Sequence, residues 1–515
     1  MTTDKVKVVA AIDLGTNLIR MIIGQIYPDG KVIPLEEVKR PTQIGNDTFR
    51  MGKISVETIH QTCDILNNFV QLMKDYAVEY YEIVSTTGIR EADNREYIIE
   101  QIRARTGLRV RIISTAEERF LTFKAIRQTI ENPHKLRNEG VMIIDIGSGS
   151  IEVSVYQGGN LKYTRLIKVG PLRLWKTLGG LEQETTDFPQ IIEEYIESKI
   201  YIIKDEIEKL GLKHFIGMGG EIRAITRKCL DQELEGNINL LPVDALENLY
   251  HHLKGMTAEQ IVKEFGLDYG RARKLYPSVV ILNQFLKATE ATEVIAPSVS
   301  LRHGLLVNLA DRWFDTLRRS DFINDIISSV RYIGERYRVD QVHSSQVEKL
   351  ALSIFDQTEE IHSLDNNERL YLQVAAILHD VGKYITQTNY EKFSYDIIQS
   401  EDIMGFSFRE IDIIANLVKY HNSQVPRFFH ESYRILKGGD QLVVSKLAAI
   451  LKLAKVLDIS HKQKITDVKI EMEGKDIIFN PDSTTMEYLF LERNFFEEKA
   501  EFFEEVMGYK PKFNG

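Results

Sequence analysis

Two stretches of this chain repeat one another. AIDLGTNLIRMI at 11–22 and IIDIGSGSIEVS at 143–154 align without a gap, 132 residues apart. Asp13 matches Asp145, Gly15 matches Gly147, Thr16 matches Ser148, and Ile19 matches Ile151. Each copy reads as an apolar strand ending in aspartate, a tight turn of small and hydroxyl residues, and a second apolar strand. Two copies at a domain-sized spacing do not make a solenoid. They point to two homologous domains facing each other.

The pattern after each copy supports this. A further strand-like run follows (KVIPLEEV, LKYTRLIKVG), and helix then alternates with strand. In the first half the periodicity predicts a helix over roughly 55–76, a strand YEIVS, a helix from Asn94, a strand RVRIIS and a helix from Ala116. In the second it predicts a helix over roughly 188–210, strands FIGM and EVIAPSV, and a closing helix from about Leu301. Such an order gives an α/β fold with mixed sheets. From about Arg318 to Ser460 helical periodicity dominates, so an all-α domain is expected there. The tail KITDVKIEMEGKDIIFNP reads as a hairpin turning at Glu473-Gly474, and a helix rich in Phe and Glu follows. The expected domains are 1–132, 133–315, 316–462 and a small α/β appendage at 463–515.

Charge narrows the partners. A net charge of −10 argues against a nucleic-acid partner, yet leaves room for local loops and helix starts that hold phosphate. No apolar run reaches membrane-spanning length and the amino terminus enters a strand almost at once, so no membrane association and a cytoplasmic location are expected. Cys63 and Cys229 sit in amphipathic segments and read as buried thiols.

A strand ending in Asp-hydrophobic-Gly-Ser/Thr sets backbone N–H groups and a hydroxyl around a phosphate. Gly15, Thr16 and Asn17 form the first such cradle, and Gly147, Ser148, Gly149 and Ser150 the second. Gly15, Gly147 and Gly149 are expected to supply positive φ angles. Asp13 and Asp145 at the strand ends are placed to hold a divalent cation against phosphate oxygens. One copy alone reads as well as an ordinary hairpin; two at equivalent places favour phosphate.

Six segments in chain order then resemble the exopolyphosphatase/guanosine pentaphosphate phosphohydrolase family, within the actin, heat-shock ATPase and sugar-kinase superfamily. They are AAIDLGTNLIRMIIG, STTGIREADN, ISTAEERFLTF, IDIGSGSIEV, GMGGEIRAI and SVSLRHGLL. The resemblance implies two ribonuclease H-like domains of the actin type, a soluble homodimer and a magnesium (or manganese) cofactor. It places the general base at Glu118, with Glu117 second, because neighbours on a helix point about 100° apart and cannot share one cleft. It makes Arg90 the arginine that offsets charge on the phosphoryl group. Asp145 becomes the leading metal ligand, with Asp13 and Glu152 beside it. Arg20, Arg302 and the third turn, Gly219-Gly220, join the phosphate-binding set. The chain departs from the family pattern at Leu18, Ser148, Glu221 and His303, and Glu221 would repel phosphate if it faced the site.

In the helical domain, His379-Asp380 in AAILHDVGKYI resembles the centre of HD-domain phosphohydrolases, with His343 and His421 at outer positions. YEKFS at 390–394 lacks the usual histidine pair, and Lys455 stands where an aspartate is expected, so a structural HD-like domain without a metal centre is expected. Arg427, Arg434, Lys437, Lys446, Lys452, Lys455, Lys462 and Lys464 make 427–464 locally basic, a stretch read as a guide for a long polyanion. The resulting expectation is an exopolyphosphatase releasing orthophosphate from inorganic polyphosphate. Guanosine pentaphosphate hydrolysis, or a binding regulator with weakened catalysis, are the alternatives; a sugar kinase is disfavoured.

Overall fold

The structure, a computed structural model, describes residues 5–130, 133–185, 187–230, 238–314, 316, 318–483 and 489–514. The chain divides into two units, Met1–Asp325 and Ile326–Gly515.

The first unit holds two sheets. In the first, β1 (Lys7–Leu14), β2 (Leu18–Ile26), β3 (Val32–Pro41), β4 (Tyr80–Ser85) and β5 (Arg111–Ile112) lie in the order β3-β2-β1-β4-β5. In the second, β6 (Val141–Ile146), β7 (Ile151–Gln157), β8 (Asn160–Ile167), β9 (His214–Met218), β10 (Ile238–Pro242) and β11 (Glu293–Pro297) lie in the order β10-β11-β9-β6-β7-β8. The two share one plan: an antiparallel three-strand meander whose first strand pairs in parallel with the next strand in sequence. The repeat therefore extends from two hairpins to two whole sheets, and β10 is an added edge. The expected strand RVRIIS shrinks to Arg111–Ile112, because Ser114 already caps the following helix by accepting from Glu117 N.

β1 is buried on both faces, which explains its unbroken apolar run. Its alternate residues enter different cores. Ala10, Ile12 and Leu14 join Ile59, Leu66 and Phe69 of helix Val56–Asp75, whereas Val9 and Ala11 meet Leu301, Leu305 and Leu309. Helix Leu301–Phe314, expected to close the second domain, thus packs on the first sheet. Helix Thr115–Thr129 makes the reciprocal move: Phe123 stacks on Tyr156 of β7 at 4.8 Å, and Arg119 donates to Thr164 of β8. The two helices cross with backbones nearly touching, and a Cβ on Gly304 would lie 1.8 Å from the Leu121 carbonyl oxygen. Lys124 Nζ spans the same crossing to Asp311 Oδ2 at 3.0 Å, both side chains being buried.

The second unit is helical with a small sheet. Helices Gln341–Gln357, Asn366–Leu378, Tyr390–Ser400, Phe408–Lys419 and Gly438–Val456 bury Leu, Ile, Val and Ala faces. Asp365 with Glu368, and Ser407 with Glu410, form capping boxes that fix two of their starts. β12 (Ile465–Glu473), β13 (Asp476–Ser483) and β14 (Lys510–Phe513) form the sheet, with the hairpin turn at Gly474-Lys475. Helix Phe490–Met507 covers it through Phe496, whose ring lies 5.0 Å from that of Phe479. Cys63 is buried and Cys229 half-buried, both as free thiols. Among the described residues no helix is long and apolar enough to cross a membrane.

The helix crossing yields a stability prediction. Gly304→Ala forces the helices apart and should lower the unfolding free energy by about 1–3 kcal/mol, as overpacking does. Gly255→Ala, whose Cβ would meet nothing within 4 Å, should change it little. Equal denaturant midpoints for the two variants would contradict this account of the crossing.

Candidate active site

The two hairpins turn in the same way. Gly15 N donates to Leu18 O at 3.1 Å, and Gly147 N to Ser150 O at 2.9 Å. Neither glycine, nor Gly149, has the positive φ expected from sequence; crowding is what excludes a side chain at Gly15 and Gly149. A Cβ on Gly15 would sit 2.9 Å from Leu18 O, and one on Gly149 2.9 Å from the Phe49 ring. The left-handed turn occurs instead at Gly219 (φ +102°), where a Cβ would lie 2.6 Å from Ile146 O and 2.8 Å from Asp145 Oδ1. The third turn and Gly220, which begins helix Gly220–Leu230, therefore press against the second loop. Thr16 is wedged by Gly45, whose N–H donates to Thr16 O at 2.7 Å. Asn17 Nδ2 donates to Ser148 Oγ at 2.7 Å, so one side-chain bond joins the two loops.

Helix Thr115–Thr129 brings Glu118 between them. Ser114 Oγ accepts from Glu117 N at 3.0 Å and starts the helix. The two glutamates then diverge, as the 100° rule requires. Glu117 pairs with Arg111 at 2.5 Å, which in turn holds Glu82 at 2.7 Å. Glu118 lies 3.3 Å from Arg90 Nη1. Arg90 is itself fixed by Ile113 O and by Thr87 Oγ1, both at 2.9 Å.

Four carboxylates share this cleft. Although 25% of its side chain stays exposed, Glu118 is pushed up to about 7, by the low-dielectric surroundings first and by Asp13 and Asp145 as well, with Arg90 opposing. Burial pushes Asp145 up to about 6, against Arg20 and Arg223, and raises Asp13 against Arg20. Burial also raises Glu152 well above the usual range, Arg119 opposing and Glu118 and Asp145 adding to it. Asp13 receives only a long 3.4 Å contact from Arg20 on one oxygen, and its buried Oδ1 has no hydrogen-bond partner. An all-oxygen set of mutually repelling carboxylates with an orphaned donor atom fits a hard divalent cation such as magnesium. Behind Asp145 and Glu152 a cavity of about 20 Å³, room for one water, is lined by Arg119, Thr122 and Ser154.

Other expected residues are held by protein partners. Arg302 is 1% exposed and donates to Met21 O and Glu37, both at 3.2 Å, so its guanidinium is held in packing while its charge still acts on Asp13. His303 also pairs with Glu37, and its hydrogen bond is the largest influence bringing the Glu37 carboxyl down to about 2. Glu221 is neutralised by Lys274 at 3.0 Å, which removes the expected repulsion of phosphate. Several cations of the basic stretch 427–464 are engaged within the second unit. Lys446 donates to His362 O at 2.7 Å, Lys452 is buried on Asn422 O and Gln424 O, Lys455 donates to Tyr390 OH at 2.7 Å, and Arg427 pairs with Glu505.

Sequence reasoning missed the cations that do lie near the loops. Lys39 stands directly opposite Arg20 in the β2–β3 pairing, and Arg223 is on the helix after the third turn. Burial first, then Arg20, lowers the pKa of Arg223; burial and then Arg223 lower that of Lys39. Only the strand register could have revealed that Arg20, Lys39 and Arg223 converge.

Comparison with known proteins places the chain in a family. Family models described as "Ppx/GppA phosphatase family" and "Ppx/GppA phosphatase, domain III" match residues 25–313 and 327–499. A protein of Vibrio atlanticus (strain LGP32) named guanosine-5'-triphosphate,3'-diphosphate pyrophosphatase is 24% identical over 420 residues, 81% of each chain. A protein of Vibrio vulnificus (strain YJ016) with the same name is 23% identical over 489 residues, 93% of this chain and 92% of that one. Among solved structures, the Aquifex aeolicus Ppx/GppA family member has a TM-score of 0.51 at 23% identity, covering 60% of this chain and 99% of its own. An exopolyphosphatase from Cytophaga hutchinsonii has 0.52 at 19% identity, covering 59% and 98%. With one family model spanning more than half its length, a second covering the helical unit, and the actin-like double sheet in common, this chain belongs to the Ppx/GppA phosphatase family.

Proposed function

We propose that the chain removes the terminal phosphoryl group of a linear phosphoanhydride, inorganic polyphosphate in the first place, by water attack. The observation that carries this reading is Glu118: a carboxylate pushed up to about 7, beside Arg90, facing two duplicated phosphate loops. A base with a pKa near neutrality can take the proton of a bound water and still be regenerated at neutral pH. Gly15, Thr16, Asn17, Gly147, Ser148, Gly149 and Ser150 would seat the terminal phosphoryl group through N–H and O–H donors. Arg90 would offset the charge that grows on it. Asp145, Asp13 and Glu152 would hold the divalent ion, whose chemistry is to neutralise phosphate oxygens when bound. Arg20, Lys39 and Arg223 would receive the next phosphates of the chain, and they replace the helical basic stretch as support for a polyanion.

Guanosine pentaphosphate is a second reading with its own support, since the named Vibrio relatives match this chain over 81–93% of its length. Both substrates end in the same phosphoanhydride. Orthophosphate release from each, measured side by side with and without magnesium, separates them, and no release from either would remove the hydrolase reading.

Glu118→Gln should lower kcat about 10²–10⁴-fold with little change in KM. An unaltered kcat would remove Glu118 from the reaction. Asp145→Asn should raise the magnesium concentration needed for half-maximal rate, and activity that persists in chelator would contradict the metal assignment.

The pKa shifts also fix a sign for stability. Glu118 and Asp145 are raised in the folded state, so between about 4 and 7 the native protein binds more protons than the unfolded chain. Their contribution is present at low pH and is lost as pH rises through about 6 to 7. Metal-free protein should therefore gain stability from this cluster on going from pH 7.5 to 5.5, and Asp145→Asn should reduce that gain. A variant with the same pH dependence as wild type would refute the coupling.

A further inference from the structure

Helix Pro171–Leu178 leans on the second phosphate loop, and no step of the proposed reaction uses it. Ser148 O accepts from Leu172 N at 2.9 Å, and Gly149 O accepts from Arg173 Nε at 2.7 Å. Gly170 permits this approach, since a Cβ there would lie 2.4 Å from Ser148 O. Two consecutive carbonyls of the loop therefore face the helix. Across a planar trans peptide the next N–H points the opposite way. The N–H groups of Gly149 and Ser150 are thus turned away from the helix, as donors to a phosphate must be.

The same guanidinium reaches across the cleft. Arg173 Nη2 donates to Glu91 Oε2 at 2.7 Å, and Glu91 directly follows Arg90 in the other half of the first unit. The guanidinium carbon stands 5.2 Å from the centre of the buried Phe49 ring. Phe49 and Thr87 in turn crowd Gly149, whose Cβ would meet them at 2.9 and 3.5 Å. A second clasp, from Asn17 Nδ2 to Ser148 Oγ, lies at the loops themselves.

Energetics narrows what the first clasp is for. The Arg173 and Glu91 side chains are 27% and 29% exposed, and an ion pair so wetted adds little to stability. Its effect is geometrical. A planar fork that donates to a loop carbonyl and to a carboxylate fixes two segments at once. A lysine would keep the charge, but its flexible stem could not hold both at a fixed spacing.

We propose that Arg173 is a positioning residue of the phosphoryl site. It clamps the second phosphate loop to the turn that carries Arg90, so both face one phosphoryl group only while the two halves are closed. This rests on the reading of the loops and Arg90 as the place of phosphoryl transfer. Without the clamp the empty cleft opens, and the substrate must supply the closure itself. Binding then weakens in proportion to the closed fraction that is lost, whereas the substrate-bound enzyme regains its geometry.

Two measurements on the full chain test the clamp. Spin labels at Gln61→Cys and Glu197→Cys, exposed positions on the two halves, report their separation in a Cys229→Ala background. Without substrate, Arg173→Met and Arg173→Lys should broaden the distances and shift them longer than in the Arg173 protein. In steady state, Arg173→Met should raise KM for tripolyphosphate about tenfold with a smaller fall in kcat, the reverse of Glu118→Gln. Glu91→Gln should move both readouts in the same direction, though less far. Unchanged distances in Arg173→Met would overturn the proposal, as would a loss confined to kcat. No phosphate release from the wild type would remove the hydrolase reading alone, because the distances without substrate still decide the clamp.

Discussion

The close crossing of helices Thr115–Thr129 and Leu301–Phe314 is the constraint on which the first unit depends. Each helix packs on the sheet of the other half of the chain, so neither lobe completes its own core from one continuous segment. The crossing holds only because Gly304 lets the helices approach to backbone contact at Leu121. Its buried Lys124–Asp311 pair satisfies charges that would be expensive to leave alone, and so adds to specificity of packing more than to net stability. Glu118 sits one turn from Leu121 on the same helix. The element that joins the lobes is therefore also the element that carries the candidate base into the cleft.

That cleft concentrates charge that the rest of the protein would otherwise avoid. Burial raises the pKa values of Asp13, Asp145, Glu118 and Glu152, neighbouring carboxylates add to the rise at the last three, and the arginines beside them only partly compensate. A site of this kind is destabilised when empty and relieved by a cation, which couples ligand binding to the integrity of the fold.

Much of this was legible in the sequence, because it rests on local patterns. The duplicated hairpins, the start of the helix bearing Glu118, and the divergence of Glu117 from Glu118 all follow from spacing within a few residues. What was not legible depends on contacts between distant segments. Helix Leu301–Phe314 follows the second sheet in sequence yet packs on the first, because apolar periodicity shows that a face is buried and not against what. The lysines at 446, 452 and 455 read as a cationic face, yet their ammonium groups reach carbonyl or phenol oxygens inside the second unit. Arg302 matched a motif whose residue, here, is sealed on Met21 O and Glu37.

The duplication is broken at one rung. Opposite Asp13 in the first hairpin stands Arg20; at the equivalent place opposite Asp145 stands Glu152. Two copies of one device have acquired opposite signs, so the cleft they enclose has a cationic bank, extended by Lys39 and Arg223, and an anionic bank made of Glu152, Asp145 and Glu118. A polyanion drawn along the first bank would meet like charge at the second and halt there, with its free end against the candidate base. Under the proposed function, such a cleft would favour the end of a phosphate chain over its middle, because the asymmetry that admits the end opposes threading past it.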